Sequence, residues 1–485
     1  MLTLAYFLNV LTGHEWPGAD LPITEVVIDS RQAGPGALFA ALPGESTDGH
    51  LYVEDAFGRG AVAALVQREA GAGRHEARSS KTLDLRGGGP PEALQAGDGP
   101  WRLRVDDTLT ALQRVAARWR SFVDASRSAD AALRVVGVTG SVGKTTTKEL
   151  IAAVLHTRFR TLKSEGNLNN EIGLPLSLLR LSEADERAVL EMGFYVPGEI
   201  ALLCRLARPH VGVVTNVLPV HVERAGSLEA VARGKAELVE ALPPGPEGAA
   251  ILNYDDPLVR DMAQHSQARV FTYGLDPRAD LWASDVVGLG LEGIRFQLHH
   301  RGETLHIRVR HLGRHSVHTA LRAAAVGLVE GLTWHEIVEG LTSGAQLRLY
   351  AVSGPKGSIL LDDTYNASPE SVIAALNLLK DLGGRKIAVL GDMRELGEYE
   401  AEGHERVGRY VRETADVLIV VGPLGRLIAQ AALESGMADE AITALDDVPA
   451  TTEHLRQIIR RGDVVLIKGS RSLAMEEIVN ELEIP

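Results

Sequence analysis

One cysteine in 485 residues, Cys204, excludes an intrachain disulfide and fits a reducing compartment. Long apolar runs are also missing: no stretch approaches the roughly 20 apolar residues that a membrane-spanning helix needs. The opening "MLTLAYFLNVLTG" carries a short apolar run but neither a basic lead nor a small-residue cleavage site. That speaks against a signal peptide, and a cytoplasmic location is expected. No run of Lys and Arg stands out and the formal net charge is −14, which argues against a nucleic-acid partner. A small polyphosphate held by a few local cations remains compatible with that balance.

What is present is ordinary for a soluble globular chain, 45% hydrophobic and 24% charged, and the length predicts two to four domains. Residues 68–100, "REAGAGRHEARSSKTLDLRGGGPPEALQAGDGP", are rich in Gly, Pro, Ala and charge and lack sustained periodicity, so they read as a flexible insertion. Next, Leu109, Leu112, Val115, Ala116 and Trp119 recur at helical spacing after Asp107 or Thr108 as a cap. From residue 133, apolar runs such as "LRVVGVTG", "VGVVTNV" and "AAILNYDD" alternate with helical patterns, the rhythm of a mainly parallel sheet. Residues 269–310 instead alternate apolar with polar, as half-exposed antiparallel strands do. The parallel rhythm returns in "SILLDDTYN", "KIAVLGDM", "DVLIVVG" and "DVVLIKGS". The fold expected is α/β with three domains: 1–105, a central P-loop domain over 106–343, and a Rossmann-like domain over 344–485.

The densest chemistry lies in "VVGVTGSVGKTTTKEL", residues 135–150. Val135, Val136 and Val138 suit a buried strand, and Leu150, Ile151, Val154 and Leu155 suit one face of the following helix. Between them Gly140, Ser141, Val142 and Gly143 would turn backbone N–H groups toward an anion at the helix N-terminus. Lys144 would reach the outer phosphates, the Thr145 hydroxyl would ligate Mg²⁺, and Thr146 would join the same nucleotide loop. An ordinary glycine turn before a helix is the bland alternative. The spacing is not the usual G-x-x-x-x-G-K-[ST], because Val138 stands where a glycine belongs.

That altered loop, T-G-S-V-G-K-T-T, resembles the ATP loop of the Mur ligases, ATP-dependent amide-forming enzymes of peptidoglycan precursor synthesis. "GNLNNEIGLPLSLL" (166–179), "EMG" (191–193), "TNVLPVHVERAGS" (215–227), "GKAEL" (234–238) and "LNYDD" (252–256) follow in the family's order. "DSRQAGPGALFAALPGESTDGHLYVEDAFGRGA" (29–61) resembles its nucleotide-sugar domain. "LLDDTYNASPES" (360–371), "VLGDMRELG" (389–397) and "LIKGSRSLAMEEIV" (466–479) are similar to the branch that adds D-alanyl-D-alanine. The likeness spans nearly the whole chain apart from 68–100. A folylpolyglutamate synthase would not need the first domain. A GTPase-like switch would need an N-K-x-D motif, which is absent. A non-catalytic nucleotide-sugar sensor would not need the full set of ligase residues.

The resemblance implies ATP and paired Mg²⁺ ions as cofactors, UDP-MurNAc-tripeptide and D-Ala-D-Ala as substrates, and a monomer. It assigns Lys144, Glu191, His221 and Lys235 to catalysis, with Thr145, Glu191, His221 and Lys235 as metal ligands. By composition Lys235 is a solvated lysine on an Ala-rich helix; the resemblance implies that it is carbamylated. Asn167 and Asn170 would line the reacting carboxylate, although turn-forming asparagines explain them equally well. Ser30, Arg31, Thr47, Asp48, Gly49 and His50 look like contacts for the uridine diphosphate, or else a polar loop after a strand. Arg348 and Asp363 match positions near ATP; Tyr365, Asn366, Lys468, Ser470 and Arg471 match the peptide end, with the cation for the dipeptide carboxylate left open. One segment departs from the family's H-N-x-x-N. In "GRHSVHTALRAAA" His315 is kept, but Ser316 and Thr319 replace the amides thought to read adenine. A hydroxyl cannot offer an amide's paired donor and acceptor, so adenine selectivity is either looser or comes from elsewhere, for example Asn253.

Overall fold

Parallel pairing dominates, as the alternation of short apolar runs with helical patterns predicts. The computed structural model describes residues 1–44, 47–68, 80–87, 99–127, 132–220, 222–343 and 350–484. Two compact units emerge: Met1–Gly137 with Phe159–Gly193 and Ala201–Pro209, and Val138–Arg158 with Phe194–Ile200 and His210–Pro485.

In the first unit β1 (Val26–Val27), β2 (Leu38–Ala40), β3 (Ala63–Val66), β4 (Lys81–Asp84) and β5 (Trp101–Arg104) form an all-parallel sheet in the order β1-β2-β3-β5-β4. Every residue of β2 and β3 is buried, as continuous apolar runs in a parallel sheet require. β4 corrects the reading of 68–100 as loop throughout. "KTLD" is too short to show a period, and as an exposed edge strand it is held by pairing with β5 rather than by an apolar face. The helix Thr108–Ala125 starts on Asp107, whose carboxylate accepts the Thr110 N–H at 2.6 Å, and buries Leu112, Val115, Ala116 and Trp119. β7 (Thr161–Lys163) and β8 (Arg187–Glu191) pair in parallel in the same unit, and the division between units falls within β6 (Arg134–Thr139).

The second unit holds β9 (Val211–Val214), β10 (Ala249–Asn253), β11 (Arg269–Gly274) and β12 (Leu281–Gly288), each parallel to the next. β13 (Ile294–His300) and β14 (Glu303–Val309) extend this set antiparallel, as the alternation in 269–310 predicted, but β11 in that same range pairs in parallel on both sides, because it continues the parallel set begun by β9 and β10. A further sheet contains β15 (Tyr350–Ser353), β16 (Ile359–Asp362), β17 (Lys386–Gly391), β18 (Val417–Val421), β19 (Ile442–Leu445) and β20 (Val464–Lys468), in the order β15-β16-β20-β17-β18-β19. Only β15 with β16 is antiparallel there. Its strands send alternate residues to two cores. Leu361, Leu390, Val420 and Leu466 pack on one face; Leu360, Val389, Ile419 and Val465 pack on the other.

β17 ends on Gly391 and β20 is followed by Gly469, both packed under the sulfur of buried Met475. A Cβ on Gly391 would stand 2.5 Å from that sulfur, and one on Gly469 would lie closer still. Among the described residues no helix is long and apolar enough to cross a membrane.

Candidate active site

The loop after β6 is stapled from the side by the segment that follows β9. Ser141 N–H donates to Asn216 O at 3.0 Å, Val142 N–H donates to Asn216 Oδ1 at 2.9 Å, and Thr215 Oγ1 donates to Val142 O at 2.8 Å. Ser141 Oγ completes the staple, donating to Leu218 O at 3.1 Å and accepting from Leu218 N–H at 2.9 Å. Gly140 has φ +139° and a Cβ there would run into Thr215 Oγ1, so this position admits only glycine. Gly143, at φ +83°, caps the helix Lys144–His156 and brings no capping side chain, leaving the first-turn N–H groups and the helix dipole to face an anion. Lys144 Nζ donates to Gly140 O at 2.8 Å and Ser141 O at 3.2 Å, which folds its ammonium over the loop. Val135, Val136, Leu150, Ile151, Val154 and Leu155 are fully buried, so strand and helix are anchored as their patterns predict.

Beneath the loop lies an arginine that sequence reading did not single out. Arg322 is buried; its Nη1 donates to Thr147 Oγ1 at 2.8 Å and its Nε to Tyr273 Oη at 2.8 Å. A lone cation in the apolar run "TALRAAA" was the available signal.

Lys235 overturns the bland reading of a solvated lysine. It is 1% exposed, on the helix Leu228–Glu240, and its Nζ lies over the Phe194 ring at 4.8 Å from the centroid. No carboxylate and no hydrogen-bond acceptor pairs with it among the described residues. Burial first, and then the charge of Lys144, hold its amine well below the usual ammonium range. Neighbouring Gly234 explains how the ring gets there, since a Cβ on it would strike Phe194. Asn253 is buried with both ends of its amide in use: Nδ2 donates to Thr215 O at 3.2 Å, and Oδ1 accepts Asp255 N–H at 3.1 Å. His315 is exposed, and Ser316 Oγ donates back to Leu312 O at 2.7 Å.

In the first unit Glu191, at the end of β8, is buried; its Oε1 accepts from Asn169 Nδ2 at 2.9 Å, and its backbone N–H donates to Ser164 Oγ at 3.1 Å. The asparagine on Glu191 is therefore the middle one of "NLNN". Asn167 is exposed, and Asn170 uses its Oδ1 to accept from Ile172 and Gly173 N–H at 3.3 and 2.8 Å. In the nucleotide-sugar segment Arg31 is exposed and forks onto Asp29, with Nε–Oδ1 3.0 Å and Nη2–Oδ2 2.7 Å, and Ser30 is buried beside it. Thr47 Oγ1 meets Tyr52 Oη at 3.1 Å. His50 is locked inside: Nε2 accepts Gln67 N–H at 3.1 Å, so the proton sits on Nδ1, 2.7 Å from Asp48 Oδ1. Asp48 also pairs with Arg68, and Gly49 leaves no room for a Cβ against Leu42 at 2.8 Å.

At the carboxyl ends of β16, β20 and β17, buried Lys468 pairs with Asp363 Oδ2 at 2.7 Å and donates to Asn366 O at 2.8 Å. Ser470 Oγ accepts Arg394 N–H at 2.9 Å. Arg471 is exposed and lies over the Tyr365 ring at 5.2 Å, with no carboxylate partner among the described residues. Asp392 is fully buried and caps the helix Gly425–Glu434, accepting Leu424 and Gly425 N–H at 2.9 and 3.0 Å. His221 and Arg348 lie outside the described residues, and among those described no cluster of three His, Cys, Asp or Glu could hold a metal ion.

Three family models match the chain in order: "Mur ligase family, catalytic domain" over 22–86, "Mur ligase middle domain" over 138–327, and "Mur ligase, glutamate ligase domain" over 347–471. The UDP-N-acetylmuramoyl-tripeptide–D-alanyl-D-alanine ligase of Bacillus subtilis (strain 168) is 36% identical, covering 94% of this chain and 92% of its own length. A crystal structure of MurF from Acinetobacter baumannii superposes with a TM-score of 0.80 at 29% identity, covering 99% of both chains. MurF from Thermotoga maritima in complex with ADP gives 0.73 at 26% identity, covering 95% of this chain and 97% of that one.

Proposed function

The chain belongs to the Mur ligase family, and from that premise we propose that it is the ligase that adds D-alanyl-D-alanine to UDP-N-acetylmuramoyl-tripeptide in peptidoglycan precursor synthesis. The observation that carries the reading is the glycine loop at the head of Lys144–His156, held open by Thr215 and Asn216, in a chain similar along its whole length to enzymes of that name.

A carboxylate is a poor electrophile, so joining it to an amine in water needs activation. The γ-phosphoryl of ATP passes to the tripeptide's terminal carboxylate, giving an acyl phosphate and ADP. The dipeptide amine attacks the acyl carbon, phosphate leaves, and the amine's extra proton is lost. Catalysis of this kind is positioning plus stabilisation of spreading negative charge. The first-turn amides after Gly143 and the Lys144 ammonium supply fixed positive charge for that task. Magnesium, when bound, neutralises phosphate charge; Thr145, Glu191, His221 and Lys235 are proposed to hold it.

Lys235 fits that role only in modified form. Its burial, with Lys144 nearby, favours the neutral amine, the form that reacts with carbon dioxide, and a carbamate would give magnesium the oxygen donors it prefers. In the C-terminal sheet, Lys468 is neutralised by Asp363, so Arg471 is the cation proposed for the dipeptide carboxylate. We place the UDP moiety on the Ser30–Arg31 and Thr47–His50 segments, with His50 shaping the loop from within. The three domains 1–105, 106–343 and 344–485 and a cytoplasmic monomer belong to the same proposal.

The test is single-turnover phosphate release with ATP, Mg²⁺, bicarbonate and UDP-MurNAc-tripeptide, with and without D-Ala-D-Ala. Product formation that depends on the dipeptide is expected. Release that ignores it, or no ADP at all, overturns the reading.

A further inference from the structure

Which side chain tells adenine from other bases is open once Asn253 and Ser316 are seen to be occupied. Asn253 has its carbonyl on Asp255 N–H and an amide hydrogen on Thr215 O, and Ser316 Oγ donates into its own helix. A continuous line of contacts nevertheless leads from the phosphate loop to one unassigned residue. Thr215 packs on Gly140, Asn253 holds Thr215, Asp255 holds Asn253, and His318 Nε2 lies 2.9 Å from Asp255 Oδ2. These residues stand at the carboxyl ends of β6, β9 and β10, outside which open α/β sheets bind their ligands.

The helix Ser316–Val329 adds a second marker. His318 sits four residues before Arg322, on the same face, and Arg322 Nη1 would stand 3.3 Å from a Cβ on Gly143. One helical turn therefore separates the floor of the phosphate loop from the His318 ring. Asp255 is a strong acceptor, taking Leu275 N–H at 2.7 Å and Asp276 N–H at 3.2 Å in addition to the imidazole. It fixes the Nε2–H tautomer, so Nδ1 presents a lone pair. No described residue uses that lone pair.

We propose that His318, oriented by Asp255, is the specificity-determining residue for the nucleotide base, accepting the exocyclic 6-amino group of adenine on Nδ1. This rests on the ATP reading of the loop. A 6-oxo purine would place an acceptor against an acceptor and be rejected, as sites built around one hydrogen bond do.

Titration calorimetry of the full chain with Mg²⁺ and either ADP or IDP reads this directly, without turnover. The wild type is expected to bind ADP about tenfold more tightly than IDP, the scale of one well-formed hydrogen bond. His318→Ala is expected to bring ADP down to the level of IDP and leave IDP unchanged. His318→Gln, whose amide can accept from a 6-amino group or donate to a 6-oxo group, is expected to bind ADP and IDP alike. An unchanged ADP:IDP ratio in His318→Ala, equal weakening of both nucleotides, or a Gln variant that keeps the wild-type preference overturns the assignment. Any of those results with intact dipeptide-dependent phosphate release overturns this assignment alone, whereas a wild type that binds no ADP overturns the nucleotide reading as well.

Discussion

Lys235 and His404 are buried bases, and burial lowers the proton affinity of both, in different pH windows. Burial first, and then the charge of Lys144, make the native affinity of Lys235 for a proton lower than that of an unfolded lysine. Between its native value and the ordinary 10.5 the unfolded chain holds the extra proton, and stability must rise with pH across that window. In carbon-dioxide-free buffer, thermal melts of the wild type should show this rise and Lys235→Met should lack it. Lys235→Ala should lose at least about a hundredfold in ligase rate and recover part of it with added short carboxylates; full activity without them removes the metal role. His404 is fully buried, its Nε2 accepting Met393 N–H at 2.9 Å and its Nδ1 lying 2.6 Å from Glu400 O. Burial lowers its pKa, so its contribution is complete above the ordinary 6.5 and is lost as pH falls below that through the native value. Urea midpoints of His404→Gln should therefore flatten between pH 6.5 and the acid limit. None of this was legible from composition. Lys235 reads as a surface lysine on an Ala-rich helix, and only the packing of Phe194 over Gly234 removes it from water.

Strands and helices were far more legible than the contacts between them. The apolar runs from residue 133 onward predicted β6, β9, β10, β16, β17, β18 and β20 because buried parallel strands are continuous in Val, Ile and Leu. β4 was missed because an edge strand of four residues takes its order from a neighbour's backbone. The loop over 140–143 was singled out by its glycines and Lys144, yet its shape is imposed by Thr215 and Asn216, more than 70 residues away, as the Asn216 Oδ1 to Val142 separation of 74 shows. No local pattern encodes such a pairing. Gly140→Ala tests the staple. With φ at +139° and Thr215 Cβ 2.9 Å from the added methyl, the variant should lose nucleotide binding in calorimetry and about 2–4 kcal/mol of stability by chemical denaturation.

At the scale of the molecule, the proposed ligand sites fall in two units, the segment proposed for the nucleotide sugar in the first and the loop proposed for the phosphates in the second. A ligand at a hundred times its Kd protects its own unit by about 2.7 kcal/mol. Hydrogen exchange should therefore show UDP-MurNAc-tripeptide slowing amides around β2 and β3, and ADP with Mg²⁺ slowing those around Gly140 and Thr215. Protection of the same amides by both ligands would contradict the division. The seam between β17 and β20 has a different consequence, one for descent. Gly391 and Gly469 admit no methyl while Met475 fills the space above them. A lineage that acquires a larger residue at either glycine must make room beside Met475 and, at Gly391, beside Leu473 as well, whose Cδ1 would also stand 2.5 Å from the added carbon, so these sites should change together or not at all. A suppressor screen begun from Gly469→Ala would find its revertants there.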